Sequence, residues 1–292
     1  LSEATVEEAH RHCATVTRRE AANFYYGIRL LTRPKREALC AIYAFARAVD
    51  DIGDGTMEPD AKLAALARER SEIERLDPAS ENLVITALAA VTKRFALPRD
   101  AFVDLIDGVG MDVAGTHYES FDDLVVYCRR VAGSIGRLCL SVFGSDDPKA
   151  TALADDLGVA MQLTNILRDV REDASIGRVY LPAEDLRRFD WPGGERPNAA
   201  TVAAVSVDTA GPLAALVHFE AARNREWFER SLKLVPLLDR RSGACVKAMS
   251  QIYRDLLEQI DARPEAILAG RVRLSAWAKG RIAVRSLLWR AA

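Results

Sequence analysis

Apolar positions recur at spacings of three and four along most of the chain, and period-two alternation is nearly absent, so the pattern predicts helices throughout. The stretch PKREALCAIYAFARAVDD at 34–51 is the clearest case. It opens on a helix-compatible proline and carries Leu39, Ile42, Tyr43, Ala46 and Val49 on one face. Gly53 and Gly55 follow as a stop signal. The same period predicts helices over 60–76, 81–95, 99–114, 122–143, 148–174, 201–238 and 241–262, with one or two more after Arg263-Pro264.

Residues 175–200 interrupt the pattern. SIGRVYLPAEDLRRFDWPGGERPNAA is rich in Gly, Pro and charge, and reads as a loop holding one short helix. No repeat, low-complexity tract or linker divides the chain, so 1–292 reads as one all-α domain of roughly a dozen helices.

Composition narrows the function. A hydrophobic fraction of 49% suffices for a large core, and a net charge of -2 gives no expectation of a nucleic-acid partner. Five scattered cysteines without C-x-x-C spacing, and four histidines without a metal-type pattern, argue against a disulfide framework or a zinc site and suit the cytoplasm. No apolar run approaches the ~18 residues of a membrane span. The opening LSEATVEEAHRHC is polar and acidic and reads as neither signal peptide nor anchor. The basic, aromatic segment Arg271–Trp289 reads as a final amphipathic helix over the core, with peripheral contact to a lipid surface as the alternative. The oligomeric state, monomer or dimer, is left open.

Candidate chemistry lies in two acidic motifs. In VDDIGDG, Asp50 and Asp54 are four apart and share a helix face. Carboxylates near a helix C-terminus oppose the macrodipole, a local cost of about 0.3–1 kcal/mol each, which a divalent cation would offset. In QLTNILRDVRED, Asn165, Asp169 and Asp173 fall at i, i+4 and i+8, again in the last turns before a glycine, Gly177. One such cluster is ordinarily a solvated acidic face. Two, with Arg47, Arg168, Arg171 and Arg178 interleaved, point to hard oxygen ligands for magnesium and guanidinium contacts for diphosphate.

Further strings carry a family resemblance. Phe24-Tyr-Tyr-Gly27-Ile-Arg29, Ala-Phe-Ala-Arg47-Ala-Val-Asp50-Asp51, Tyr127-Cys-Arg-Arg-Val-Ala132-Gly133-Ser134-Ile-Gly136 and Gln162-Leu-Thr-Asn165-Ile-Leu-Arg168-Asp169, followed by Gly177-Arg178-Val-Tyr180-Leu-Pro182, resemble the squalene/phytoene synthase family over residues 15–275. The resemblance implies an isoprenoid synthase fold, with helices around a central active-site cavity. It also implies a magnesium-dependent prenyltransferase that joins two identical prenyl diphosphates in the 1'-1, head-to-head sense, closing a cyclopropane by proton loss.

By that resemblance Asp50, Asp54, Asn165, Asp169 and Asp173 would hold magnesium. Tyr127 matches the tyrosine placed near the first reaction centre, able to steady a cation or move a proton. Otherwise it is a packed core residue. Tyr253 and Arg271 match positions near a substrate diphosphate, and Asn23 stands where the family carries a serine or other polar residue. The small residues from Ala132 to Gly136 serve either passage of a polyprenyl chain or close helix packing.

Within the family, no long hydrophobic tail or late pair of phenylalanines points to squalene synthase, so NADPH is expected only if a reductive step is carried out. The runs AANFYYG and VVYCRRVAGS, with VYLPAEDL, look most like the presqualene diphosphate synthases of bacterial hopanoid pathways, which use farnesyl diphosphate. Phytoene synthase, using geranylgeranyl diphosphate, is the alternative. A one-substrate terpene cyclase and an inactive helical scaffold are further alternatives, and the two intact acidic motifs disfavour the scaffold.

Overall fold

The computed structural model describes residues 3–21, 23–191, 200–201 and 210–288, and among these every regular element is helical. In chain order they are α1 (Glu3–Glu20), α2 (Phe24–Ile28), α3 (Arg33–Asp54), α4 (Pro59–Arg75), α5 (Leu83–Thr92), α6 (Arg99–Val113), α7 (Phe121–Cys128), α8 (Ser134–Phe143) and α9 (Ala150–Ser175). Then follow α10 (Ala183–Arg188), α11 (Ala210–Ser231), α12 (Arg240–Ala262), α13 (Ala266–Ala269) and α14 (Ala276–Leu288). The short helix expected inside 175–200 is α10. Within that loop residues 192–199 lie outside the described residues, as do 202–209 of the helix expected over 201–238 and Trp289 at the end of the expected C-terminal helix.

Buried side chains form one contiguous core that draws on nearly every helix. Its largest fully buried members include Phe45 of α3, Phe102 of α6 and Phe228 of α11. Phe45 meets Phe102 edge-on, with ring centroids 5.2 Å apart. The chain from Asn82 shows how local sequence sets an element: its side chain accepts from the Val84 amide at 2.9 Å and caps α5.

Three departures from the sequence pattern matter for function. First, 122–143 is not one helix. A π-helical turn at Arg129–Gly133 separates α7 from α8, so the small residues of the AGS stretch sit where the helix widens. Second, Gly53 is inside α3 rather than a stop. It is buried because a β-carbon there would meet Val109 of α6 at 2.6 Å. Third, the helix predicted over 201–238 gives way after Ser231 to a 3-10 turn, Leu232–Leu237, containing Pro236.

Helices α8 and α9 pack backbone to backbone. A β-carbon on Gly136 would lie 2.1 Å from the Ala154 carbonyl, and one on Gly158 would lie 2.2 Å from the Ala132 carbonyl. Glycine on both helices therefore sets their distance, and α9 runs through the middle of the molecule.

Candidate active site

An elongated cavity opens between α2, α3, α6, α8, α9 and α12. From α3 it takes Leu39, Ile42, Tyr43 and Ala46, four of the five stripe positions read from the sequence, and Asp50 rather than Val49. From α9 it takes Ala154, Leu157, Gly158, Met161, Gln162 and Asn165. Asp50, Gln162 and Asn165 make one end polar, while Leu39, Phe143, Leu234 and Val246 make the other apolar. The chain around Ala132 and Gly136 forms part of the wall, so these small residues serve both readings given to them: they admit α9 and border the cavity.

The polar end joins the two acidic motifs. Gly177 has a φ of 78°, a left-handed turn that glycine adopts without strain. It lets the Arg178 amide bond back to the Asp173 carbonyl at 2.9 Å. The Arg178 side chain then reaches α3, donating to Asp54 at 2.6 Å and to the Gly53 carbonyl at 3.0 Å. Lys62 donates to the same carbonyl at 2.7 Å, so two cations answer the negative end of α3.

Asp169 is held by arginines as well. Arg168, itself buried, donates through Nε at 2.7 Å and through its second fork, and Arg271 approaches at 3.0 Å. Arg47 pairs with Asp51, one helical turn away. Arg171 does not join this group. Its guanidinium donates to the carbonyls of Leu268 and Ala269 at 2.7 and 3.1 Å, which ties the end of α13 to α9 and takes Arg171 out of the expected diphosphate contacts.

Among the described residues no arginine is paired with Asp50 or Asp173 in this way. Burial, then the charge of Asp54, pushes the Asp50 carboxyl up to about 7. Burial, then Asp169, pushes Asp173 up to about 8. Between them lies a residue the sequence pattern did not single out. Asp112 of α6 accepts from the Tyr127 hydroxyl at 2.9 Å and from the Tyr180 hydroxyl at 2.8 Å. Its charge acts on both Asp50 and Asp173. A signal was present: Asp112 continues the Leu105–Val109 stripe of α6, an acid in phase with an apolar face.

Tyr127 is buried and stacks on Tyr180 with centroids 5.1 Å apart, and Tyr118 packs against both rings. Burial raises its hydroxyl well above the ordinary value, so it is a neutral donor. Tyr253, also buried, packs on Phe24 and bonds to Asn23 and Asn165. Asn23 thus has a definite place: it holds Tyr253 at the polar end of the cavity.

Among the described residues, no three acidic, histidine or cysteine side chains converge closely enough to hold a metal ion alone. Guanidinium groups instead neutralise Asp54 and Asp169. The donor set nevertheless fits magnesium. The Asn165 amide nitrogen donates to Gln162 at 3.2 Å, whereas its buried oxygen has no partner among the described residues. That oxygen and the carboxylates of Asp50 and Asp173 are hard ligands of the kind magnesium takes together with phosphate oxygens.

A profile of squalene/phytoene synthases matches residues 17–278. The chain belongs to the squalene/phytoene synthase family. Members of the family are prenyltransferases that join prenyl diphosphates head to head, and this chain is one of them. The phytoene synthase of Mycobacterium tuberculosis is 45% identical over 97% of this chain and 91% of its own length. The presqualene diphosphate synthase of Rhodopseudomonas palustris is 34% identical over 87% of this chain and 88% of its own. Among solved structures, a dehydrosqualene synthase superposes with a TM-score of 0.85 at 27% identity, covering 96% of both chains. The squalene synthase of Alicyclobacillus acidocaldarius gives 0.79 at 25% identity, covering 93% of this chain and 98% of that one. The family's helical fold around a central cavity is the fold seen here.

Proposed function

We propose that this family member joins two farnesyl diphosphates into presqualene diphosphate. The observation that carries the choice of substrate is the length of the cavity. Its lining runs from Asp50 to Leu39 along α3 and from Asn165 to Ala154 along α9, a rise of eleven residues on each helix. At 1.5 Å per residue that is about 16 Å. A farnesyl chain has eleven bonds from its first carbon to its last main-chain carbon. At the ~1.2 Å advance per bond of an extended polypeptide it spans about 13 Å, against about 18 Å for the fifteen bonds of geranylgeranyl. Leu39, Phe143 and Leu234 border the apolar end, so the shorter chain fits extended and the longer one must fold back.

Asp50, Asp54, Asn165, Asp169 and Asp173 are the residues to hold magnesium. When bound, magnesium supplies the Lewis acidity that lets a diphosphate depart. Arg47, Arg168, Arg178 and Arg271 bind the diphosphate oxygens, exchanging their present carboxylate partners for phosphate and metal-held carboxylate. Tyr253 and Asn23 orient Asn165. The apolar walls exclude water from the allylic cation. Tyr127, kept as a phenol and bonded to Asp112, helps steady the cation, and the proton lost as the cyclopropane closes passes to the released diphosphate.

One observation favours a second reading. The Mycobacterium tuberculosis relative at 45% identity is a phytoene synthase, and the same site would then condense two geranylgeranyl diphosphates. Equimolar farnesyl and geranylgeranyl diphosphate offered together decide between them. C30 product in excess supports the first reading, and C40 product in excess replaces it with the second.

A further inference from the structure

Outside the active site, α14, the last of the described helices, carries an outer face that the other described residues do not cover. In α14 the buried positions are Lys279, Ile282, Ala283 and Ser286. At 100° per residue, Trp277, Arg281, Val284, Arg285 and Leu288 fall within one sector on the opposite side. Trp277, Val284 and Leu288 are 71%, 60% and 72% exposed, and the Arg281 guanidinium lies over the Trp277 ring at 4.7 Å. These three are among the few large hydrophobic side chains that the described residues leave exposed, and they stand together on one helix.

Charge says what kind of surface covers them. From Ala266 onward the sequence contains no Asp or Glu, although the whole chain is net acidic at -2. Helix α12, packed beside α14, adds Arg240, which donates to the Leu287 carbonyl, and Lys247, within reach of Arg285. An aromatic and aliphatic stripe set among arginines without acids is complementary to anionic headgroups over hydrocarbon. It is a poor match for a second copy of the same face, where like charges would meet.

We infer that α14 docks the protein on an anionic lipid bilayer. The docked face leads to the active site through α2. A β-carbon on Gly280 of α14 would meet Tyr26 at 4.0 Å, and Phe24, two residues earlier on α2, lines the cavity. Lipid under α14 therefore lies next to α2, one of the helices that wall the cavity.

The test is flotation of the full chain with vesicles of phosphatidylcholine alone or mixed with phosphatidylglycerol. Binding to the anionic vesicles, falling as salt is raised and with neutral vesicles, is the expected result. The pair R281E/R285E weakens it at least about tenfold. Trp277→Ser weakens it at fixed charge, and both variants keep the wild-type helical circular dichroism. Absence of binding to anionic vesicles at low salt overturns the inference, as does binding that both variants leave unchanged. Self-association of the free protein that the same substitutions abolish reassigns the face to a second copy and also overturns it.

Discussion

Arg178 donates to Asp54 at 2.6 Å across 124 residues of sequence, and this contact brings the ends of α3 and α9 together at the mouth of the cavity. Asp54 belongs to the first acidic motif and Arg178 lies five residues beyond the second, so the ion pair ties the two motifs into one site. Asp54 is half-exposed, which limits what the pair contributes to folding. Its weight falls on function. Arg178→Ala is expected to lower kcat/KM by roughly 10²-fold, because a guanidinium is lost from the diphosphate side. Thermal stability should change little. Arg178→Lys should recover only part of the activity, since lysine has no fork to span Asp54 and a phosphate together. Steady-state kinetics of the two variants decide this, and near-normal rates in Arg178→Ala would remove the residue from the site.

Acidity provides a second check. Folded Asp50 and Asp173 hold their protons up to about 7 and 8, against an ordinary value of 3.8. The unfolded chain therefore binds fewer protons than the folded one across that interval. Stability of the metal-free protein must fall as pH rises from about 4 toward 8. Asp50→Asn removes its share of the slope, so the variant should melt higher than wild type at pH 8 while losing turnover. Magnesium affinity of the wild type should climb over the same range as the ligands deprotonate. Melting curves at pH 5 and pH 8, with and without magnesium, read both effects. A wild-type melting temperature that rises with pH in the metal-free protein would contradict them.

Tyr127 and Asp112 should act as a unit. Tyr127→Phe removes the donor to Asp112 but keeps the stacked ring, and a slowing of the first condensation by about 10–10² is expected. Asp112→Asn should slow the same step. The double variant should be no worse than the poorer single, the mark of two residues serving one role. Single-turnover rates supply the cycle. A wild-type rate in Tyr127→Phe would leave Tyr127 as a packing residue.

The glycines between α8 and α9 predict a loss of stability. Gly158→Ala drives a methyl group into the Ala132 carbonyl at 2.2 Å. Overpacking of this kind costs about 1–3 kcal/mol. For a chain of this size the melting temperature should drop by roughly 2–6 °C. Activity should fall with it, because the displaced backbone borders the cavity. A variant melting at the wild-type temperature would mean that the helices can part without cost.

Much of this was legible beforehand. The stripe from Leu39 to Val49 and the set Asn165, Asp169 and Asp173 keep helical register, so spacing alone assigned them to faces. Gly177 could be read as a stop because the left-handed turn it makes is a local property. Contacts made across the fold could not be read in this way. Asp112 is an acid in phase with the apolar face of α6 but carries no motif, and its partners show only when α6 brings it to Tyr127 and Tyr180. Arg171 sits among site residues in sequence yet points to α13, since on a helix a shift of two positions from Asp169 turns a side chain to another face. Gly53 looked like a terminator, and only the approach of Val109 shows why glycine is needed inside α3. The π-helical turn after Tyr127 has no periodic signature short enough to detect.

The condensation itself is tested by incubating the full chain with farnesyl diphosphate and magnesium, without NADPH, and identifying the product by mass and NMR. A cyclopropyl C30 diphosphate, absent when Asp50 or Asp169 is replaced by alanine, is the predicted result. A cyclised or hydrolysed C15 product with no C30 species, or full C30 formation by either variant, overturns it.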